Sequence, residues 1–497
     1  MNSEKRIVVW LLGKAILFLL VSLLGTAIVL ADETAAQAAE LTETVKISSK
    51  KDPQGLTNLT DKNMATRYIC AGGTSITIES DEPIAQVYLM IDRPVSGYLL
   101  SYGGTTYRCG ENGFLHDYIL LAEPTNRLNI TFVDEKTAVC ELHLFSQGET
   151  PEWVQKWQKP YEDADMLVLP THADDEHLWF GGTMPYYGGE LGYKVQVAYM
   201  TNHWGERYRP HELLNGLWKV GITAYPIISD FPDAYVDSLA NAEAFYDRET
   251  ILKWQVELLR RFKPEVVIAH DLEGEYGHGA HKLNASTILE AAPLAAEEKA
   301  FPELAKRYGI WELPKLYLHL YPENTVVMNW SIPLERFDGK TGFEMAVEGY
   351  GEHVSQHVYY FAVKESGKYD CRQFGLAYTT VGLDQAETPD FFQNVSAFSD
   401  EVNEETEQEE SIQEQEQSTA ASQESETENS ENTQQSGIDE SAVESVAETP
   451  EEEQDAEISE SKDKKTKGLY LPIIVGAVVI VVVVVVMQLG RSKRKIR

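Results

Sequence analysis

Two stretches of the chain concentrate side chains that can bind a metal or move a proton. In the first, the apolar run Met166-Leu-Val-Leu169 leads into His172, Asp174, Asp175, Glu176 and His177, followed by Gly181-Gly182. In the second, Val266-Val-Ile-Ala269 leads into His270-Asp-Leu-Glu-Gly-Glu-Tyr-Gly-His-Gly-Ala-His281. His172 and Asp175 are close in sequence and His281 is remote. Two near ligands and one distant ligand are a common way to build a catalytic zinc centre, whose three nitrogen or oxygen donors leave a fourth position for water. Zinc lowers the pKa of such a water and polarises a substrate carbonyl. Asp174 adjoins a ligand but must point elsewhere, which suits a general base. His278, three residues before His281, is placed to reach the other side of a bound carbonyl, where it would stabilise an oxyanion or protonate a leaving amine. The expectation is one zinc per chain on His172, Asp175 and His281.

Those side chains converge only if the elements before them are neighbours. Both apolar runs are short enough for buried strands, and an open α/β sheet places its site at the carboxyl ends of its strands. The intervening sequence supports such a sheet. Residues 194–200 read as a strand, 210–220 as a helix, 225–228 as a strand, and 247–262 as a helix with Ile251, Trp254, Leu258 and Phe262 on one face. Pro264 introduces the Val266 run, and His281 opens the next helix. This alternation predicts a Rossmann-like parallel sheet flanked by helices. The chain has no phosphate-cradling glycine loop, no G-x-S-x-G elbow and no H-E-x-x-H helix.

His172-Ala-Asp-Asp-Glu176 with Gly181-Gly182 resembles the H-P-D-D-E…G-G motif of the PIG-L/LmbE-like N-deacetylases, and Gly274-Glu-Tyr-Gly-His-Gly-Ala-His281 resembles their G-x-Y-G-H-x-D-H motif. The resemblance covers roughly residues 165–394. It implies a zinc-dependent hydrolase that removes acetyl groups from N-acetylated amino sugars and their conjugates. It also implies His172, Asp175 and His281 as ligands, Asp174 as base, His278 as the electrostatic or acid residue, and Tyr276 as a mobile hydroxyl on the substrate side. Arg209-Pro-His-Glu212 matches the family's R-x-x-E segment; Arg209 is read either as a substrate-binding residue or as a surface ion pair with Glu212. His353-Val-Ser-Gln-His357 is similar to the family's H-x-S-Q segment and is placed near the rim of the site, and His203 and His211 are read as surface polar residues. Two positions depart from the motifs. Ala173 replaces a proline, and Ala280 replaces an aspartate that would orient the histidine pair. The second departure motivates an alternative reading, a glycan-binding surface protein with a weakly active or inactive hydrolase-like domain. Hydrolysis of some other amide is a third reading.

Residues 32–150 are expected to form an all-β sandwich, jelly-roll-like, since Ser75-Ile-Thr-Ile-Glu79, Gln86-Val-Tyr-Leu-Met-Ile91 and Leu128-Asn-Ile-Thr-Phe132 all alternate. Residues 59–68 and 139–145 resemble the opening and closing segments of discoidin-like (F5/8 type C) domains. That resemblance implies glycan binding at loop tips, where Tyr98, Tyr102, Tyr107 and Tyr118 are candidates for stacking; a spacer domain is the other reading. Residues 151–160 connect it to the catalytic domain at 161–395. Cys70, Cys109, Cys140 and Cys371 allow one disulfide or none.

The chain ends suggest an exported protein. Lys5-Arg6 and the apolar run after them read as an export signal over 1–31. Residues 396–467 form an acidic stalk too polar to bury a core, residues 468–490 a transmembrane helix, and 491–497 a basic cytoplasmic tail. The formal charge is −37, and 22 acidic and no basic residues fall between positions 401 and 460, which leaves −15 elsewhere. No basic face offers itself to nucleic acid. The partners expected are an amino-sugar or glycan substrate and the membrane, reached through one C-terminal span with the catalytic body outside, an architecture that points to a Gram-positive bacterium. Asn284 belongs to an N-x-S/T sequon three residues after His281, where an attached glycan would crowd the site.

Overall fold

Alternating apolar residues and turns build the first half of the fold. In the computed structural model, which describes residues 36–385 and 388–397, the N-terminal strands are β1 (Lys46–Ser49), β2 (Tyr68–Ala71), β3 (Ser75–Ile91), β4 (Tyr98–Tyr102), β5 (Thr105–Cys109), β6 (His116–Phe132) and β7 (Lys136–Phe145). They form one seven-stranded sheet in the order β2-β7-β3-β6-β4-β5, with β1 on β3. Every pairing is antiparallel. The expected pair of sheets is therefore joined into one. β3 and β6 run unbroken through the corner, and register shifts between Glu79 and Gln86 bend the ladder there. Ile76, Ile78, Val87, Leu89, Leu128 and Ile130, from both halves, enclose one apolar core.

The second half is α/β. Its strands are β8 (Met166–Leu169), β9 (Val195–Tyr199), β10 (Ile227–Ile228), β11 (Val266–Ala269), β12 (Lys315–His319), β13 (Thr325–Val327) and β14 (Gln373–Thr379). The sheet order is β10-β9-β8-β11-β12-β14-β13. The first five strands are parallel and β14 runs antiparallel to both its neighbours. The strands β8, β9, β11 and β12 are buried throughout, as apolar runs covered on both faces must be. Alternate residues serve opposite cores. Met166, Val168, Val266 and Ile268 face one, while Leu167, Leu169, Val267 and Ala269 face helices α4 (Arg248–Phe262) and α5 (Gly279–Leu294) in the other. The chain order reverses between β8 and β11, the switch point at which such sheets bind ligands. These two strands pair in register, Met166 with Val266 and Leu169 with Ala269, so both polar clusters leave the sheet side by side.

The two halves share an interface. Phe114 and Leu115 pack into the core that contains Val168 and Tyr225. The Phe114 and Tyr225 rings stack at 4.3 Å, and the Leu115 amide donates to the Tyr225 hydroxyl at 3.0 Å. All four cysteines are free, so no disulfide occurs among the described residues. The Asn284 side chain is fully buried and donates to Leu169 and Thr171, which closes that sequon to modification. No helix among the described residues is long and apolar enough to cross a membrane. The expected export signal, transmembrane helix and basic tail lie outside the described residues, as does all but the first two residues of the stalk.

Candidate functional site

From the end of β8 the chain turns through Pro170 and Thr171 to His172, and Asp175 opens the short helix α1 (Asp175–Leu178). From the end of β11, a loop of 3.0–2.7 Å turns brings His278 to the N-cap of α5, with His281 in its first turn. Three donor atoms then meet. His172 Nδ1 lies 3.1 Å from Asp175 Oδ2 and 3.0 Å from His281 Nε2, and the last two are 3.2 Å apart. A tetrahedral ion with bonds of about 2.0–2.1 Å separates its donors by about 3.3 Å, so this near-equilateral triangle fits one face of such a coordination sphere. Without a cation, these contacts need a proton on His172 Nδ1 or His281 Nε2 to be hydrogen bonds.

The surroundings fix each donor. Asp175 Oδ2 also accepts the His172 amide at 2.7 Å, and Oδ1 accepts Trp179 Nε1 at 2.7 Å. Burial alone would raise the Asp175 carboxyl, but His281 and His270 hold it well below its usual range. Glu275 stands behind His281, with Oε2 2.6 Å from its Nδ1. That contact puts the His281 proton on Nδ1 and leaves Nε2 free for an ion. Glu275 also reaches His270 Nδ1 at 3.1 Å and His319 Nδ1 at 3.2 Å. Burial opposes its charge, yet His270 and His281 keep its carboxyl well below the ordinary value. The orienting carboxylate is thus present, contributed from position 275. Ala280 instead packs among Met200, Ala242, Ile251 and Leu283, so an aspartate there would face an apolar cluster and not the histidines.

Asp174 has a φ of 113°, an unfavourable backbone conformation for a residue with a Cβ. Its amide donates to Glu176 Oε2 at 2.9 Å, and its carboxylate lies 3.5 Å from Arg209 Nη2. Burial and the adjacent Asp175 push its carboxyl well up, against the pull of Arg209. A raised carboxyl beside the donor triangle can accept and hold a proton. His278 Nδ1 accepts the Ala280 amide at 3.2 Å. Burial and the neighbouring His172 and His281 lower its pKa to about 3. The ring is therefore neutral with its proton on Nε2, a donor suited to a developing oxyanion.

His172, Asp174, Asp175, Arg209, Tyr276 and His278 line one pocket of about 430 Å³; His281 lies fully buried behind it. Tyr276 is 38% exposed on its wall, 5.0 Å from the Phe361 ring. Arg209 does not pair with Glu212. It donates to Asp233 at 3.0 Å and to the Ala173 carbonyl at 2.7 Å, while Glu212 accepts the amide of Ser355. His203 and His211 are not surface residues. His203 Nε2 accepts the Ala173 amide at 2.9 Å and its Nδ1 lies 3.1 Å from Asp233; His211 meets His116 at 2.8 Å across the interface. His353 is not at the rim either but fully buried, although Gln356 does reach the pocket. Sequence reading missed Glu275, His270, His319 and Asp233. Only the first two carried a signal, their place in the second polar cluster.

A family model described as PIG-L: GlcNAc-PI de-N-acetylase matches residues 167–292. The chain is 28% identical over 194 residues to a 1D-myo-inositol 2-acetamido-2-deoxy-alpha-D-glucopyranoside deacetylase of Streptomyces avermitilis, covering 33% of this chain and 64% of that protein. It is 30% identical over 182 residues to a protein of the same name from Rhodococcus erythropolis, covering 31% and 59%. The chain thus spans somewhat less than two thirds of the length of these relatives. The solved structure of an N,N'-diacetylchitobiose deacetylase from Pyrococcus horikoshii overlaps 49% of this chain and 91% of its own, with 17% identity and a TM-score of 0.31.

Proposed function

We propose that the PIG-L domain of this chain is a zinc-dependent N-deacetylase that removes the acetyl group from an N-acetylated amino sugar or glycan. The observation that carries the reading is the triangle of His172, Asp175 and His281 donors, with Asp174 and His278 on the wall of the same pocket. Zinc held there would polarise the amide carbonyl and lower the pKa of a water. Asp174 takes the proton of the attacking water and returns it to the departing amine nitrogen. His278 donates from Nε2 to the carbonyl oxygen as charge builds on it. Arg209 and Tyr276 offer hydrogen-bond donors to sugar hydroxyls, and Tyr235, Trp179 and Phe361 offer ring faces from the same walls. The names of the relatives support an N-acetylglucosamine-type substrate.

The same proposal extends to placement. The signal-like residues 1–31 and the apolar stretch 468–490 with its basic tail support an exported body, held at the cell surface by one span and an acidic stalk. The test is incubation of the purified chain with N-acetylglucosamine oligomers and zinc, scoring free acetate. Acetate release that a chelator abolishes and zinc restores is expected. Release indifferent to chelation would overturn the metal mechanism, and sugar binding without acetate would favour the inactive, glycan-binding reading.

A further inference from the structure

We propose that Glu176, His177 and His353 form a second, fully buried site for a divalent transition-metal ion, separate from the one assigned to His172, Asp175 and His281. Glu176 and His177 lie on α1. His353 follows helix α7 (Gly342–Gly351), which packs over it. Glu176 Oε1 is 3.1 Å from His353 Nε2 and 3.3 Å from His177 Nε2, and all three side chains are fully buried. The three offer one donor atom each to a common ion.

These contacts are short enough for hydrogen bonds, yet none is aligned as one. Among the described residues, Glu176 Oε1 and both ring nitrogens of His177 and of His353 have no hydrogen-bond partner. Buried polar atoms are nearly always paired, so three together, brought from two elements, point to something between them. Two imidazoles and a carboxylate are the donor set of zinc and its first-row neighbours. A water would satisfy all three only with a proton on at least one of the two Nε2 atoms.

Two glycines keep the space open. Helix α2 (Arg209–Lys219) passes the cluster at Gly216. A Cβ there would stand 2.7 Å from His177 Nε2 and 2.8 Å from His353 Nε2. A Cβ on Gly349 of α7 would stand 2.4 Å from His177 Cε1. Both glycines sit inside helices, where glycine is disfavoured. None of the three ligands lines the substrate pocket, so the site is closed and its role is to hold structure. What it holds is the turn at Asp174, whose amide rests on the second oxygen of Glu176. The consequence for turnover rests on Asp174 acting as the base; the binding of the ion does not.

The experiment is metal content of the full chain after equilibration with zinc and gel filtration, by elemental analysis, repeated with cobalt(II) and its visible absorption. Wild type should carry two ions. His281→Ala, His353→Gln and Gly216→Ala should each carry one, and His281→Ala combined with His353→Gln none. Gly216→Ala keeps every ligand but crowds both rings, so its fold is checked by circular dichroism in the same way, and Glu176→Gln, which keeps the side-chain volume and should also carry one ion, decides the matter if either of the others fails to fold. A single ion in wild type that His281→Ala removes, with His353→Gln and Gly216→Ala unaffected, would overturn the proposal, as would two ions in His353→Gln. A single ion lost in His353→Gln and Gly216→Ala but kept in His281→Ala would sustain the buried site and defeat the catalytic one.

Discussion

Asp174 and Asp175 are chemically identical neighbours, and the fold separates them through the backbone. The positive φ of Asp174 turns its carboxylate toward Arg209 and the pocket, while Asp175 opens α1 and aims at His172 and His281. Asp175→Asn should therefore lower zinc content. Asp174→Asn should keep zinc and bind substrate with little change in KM, but lose roughly 10²–10⁴-fold in kcat, the usual contribution of a positioned base. Zinc stoichiometry and deacetylation kinetics on both variants check this; a fully active Asp174→Asn removes it from the mechanism. At this scale the motif residues were legible because the proposed ligands follow two apolar runs. Glu275 was not, because a carboxylate six residues before His281 announces nothing until the loop folds it back beneath the ring. Asp233 and His319 come from other strands and loops, so no local pattern reveals them.

Glu275 belongs to the scale of elements, since it ties the loop after β11, the start of α5 and the end of β12 through His270, His281 and His319. Glu275→Gln should weaken metal affinity by about 10–100-fold, the usual effect of losing a carboxylate behind a ligating histidine, measured by competition with a chelator. Ala280→Asp is the complementary case. It supplies the aspartate of the G-x-Y-G-H-x-D-H motif but inserts a charge among Met200, Ala242, Ile251 and Leu283, and should cost at least about 2 kcal/mol. Denaturant unfolding gives the value. A variant more stable or more active than wild type would show that position 280 does reach the histidines. The parallel strands β8, β9 and β11 were readable from strand and helix alternation, because each strand buried on both faces must be a continuous apolar run; the sheet is mixed, and β12 with the antiparallel β13 and β14 was not read. The continuity of β3 and β6 through the corner was hidden, since a bend made by bulges leaves the apolar alternation on either side intact.

At the scale of the molecule, the antiparallel half is more than a neighbour of the α/β half. Phe114 and Leu115 complete the core around Tyr225, Trp157 and Val168, and Arg67 donates to the Arg207 carbonyl at 3.0 Å. Calorimetry of a chain covering residues 36–397 should accordingly give one unfolding transition. Phe114→Ala should lower it by about 3–5 kcal/mol, as for other buried phenylalanines. Two resolved transitions in wild type, only one of them sensitive to Phe114, would mean that the halves fold independently. Nothing in the sequence of residues 113–116 distinguishes an interface from a strand end, which is why the joint was read only as a connector at 151–160.

The donor triangle is held by Glu275 behind His281, by Trp179 on Asp175, and by the register of β8 with β11. An unfolded chain has no such arrangement, so an ion that enters the triangle binds the native state alone and shifts the folding equilibrium toward it. By mass action, each tenfold rise in free ion above its dissociation constant adds about 1.4 kcal/mol to stability. The melting temperature of the protein should therefore climb with the logarithm of free zinc and reach a floor in chelator. If zinc fills the triangle as proposed, the lifetime of the protein becomes a function of how much metal its surroundings supply.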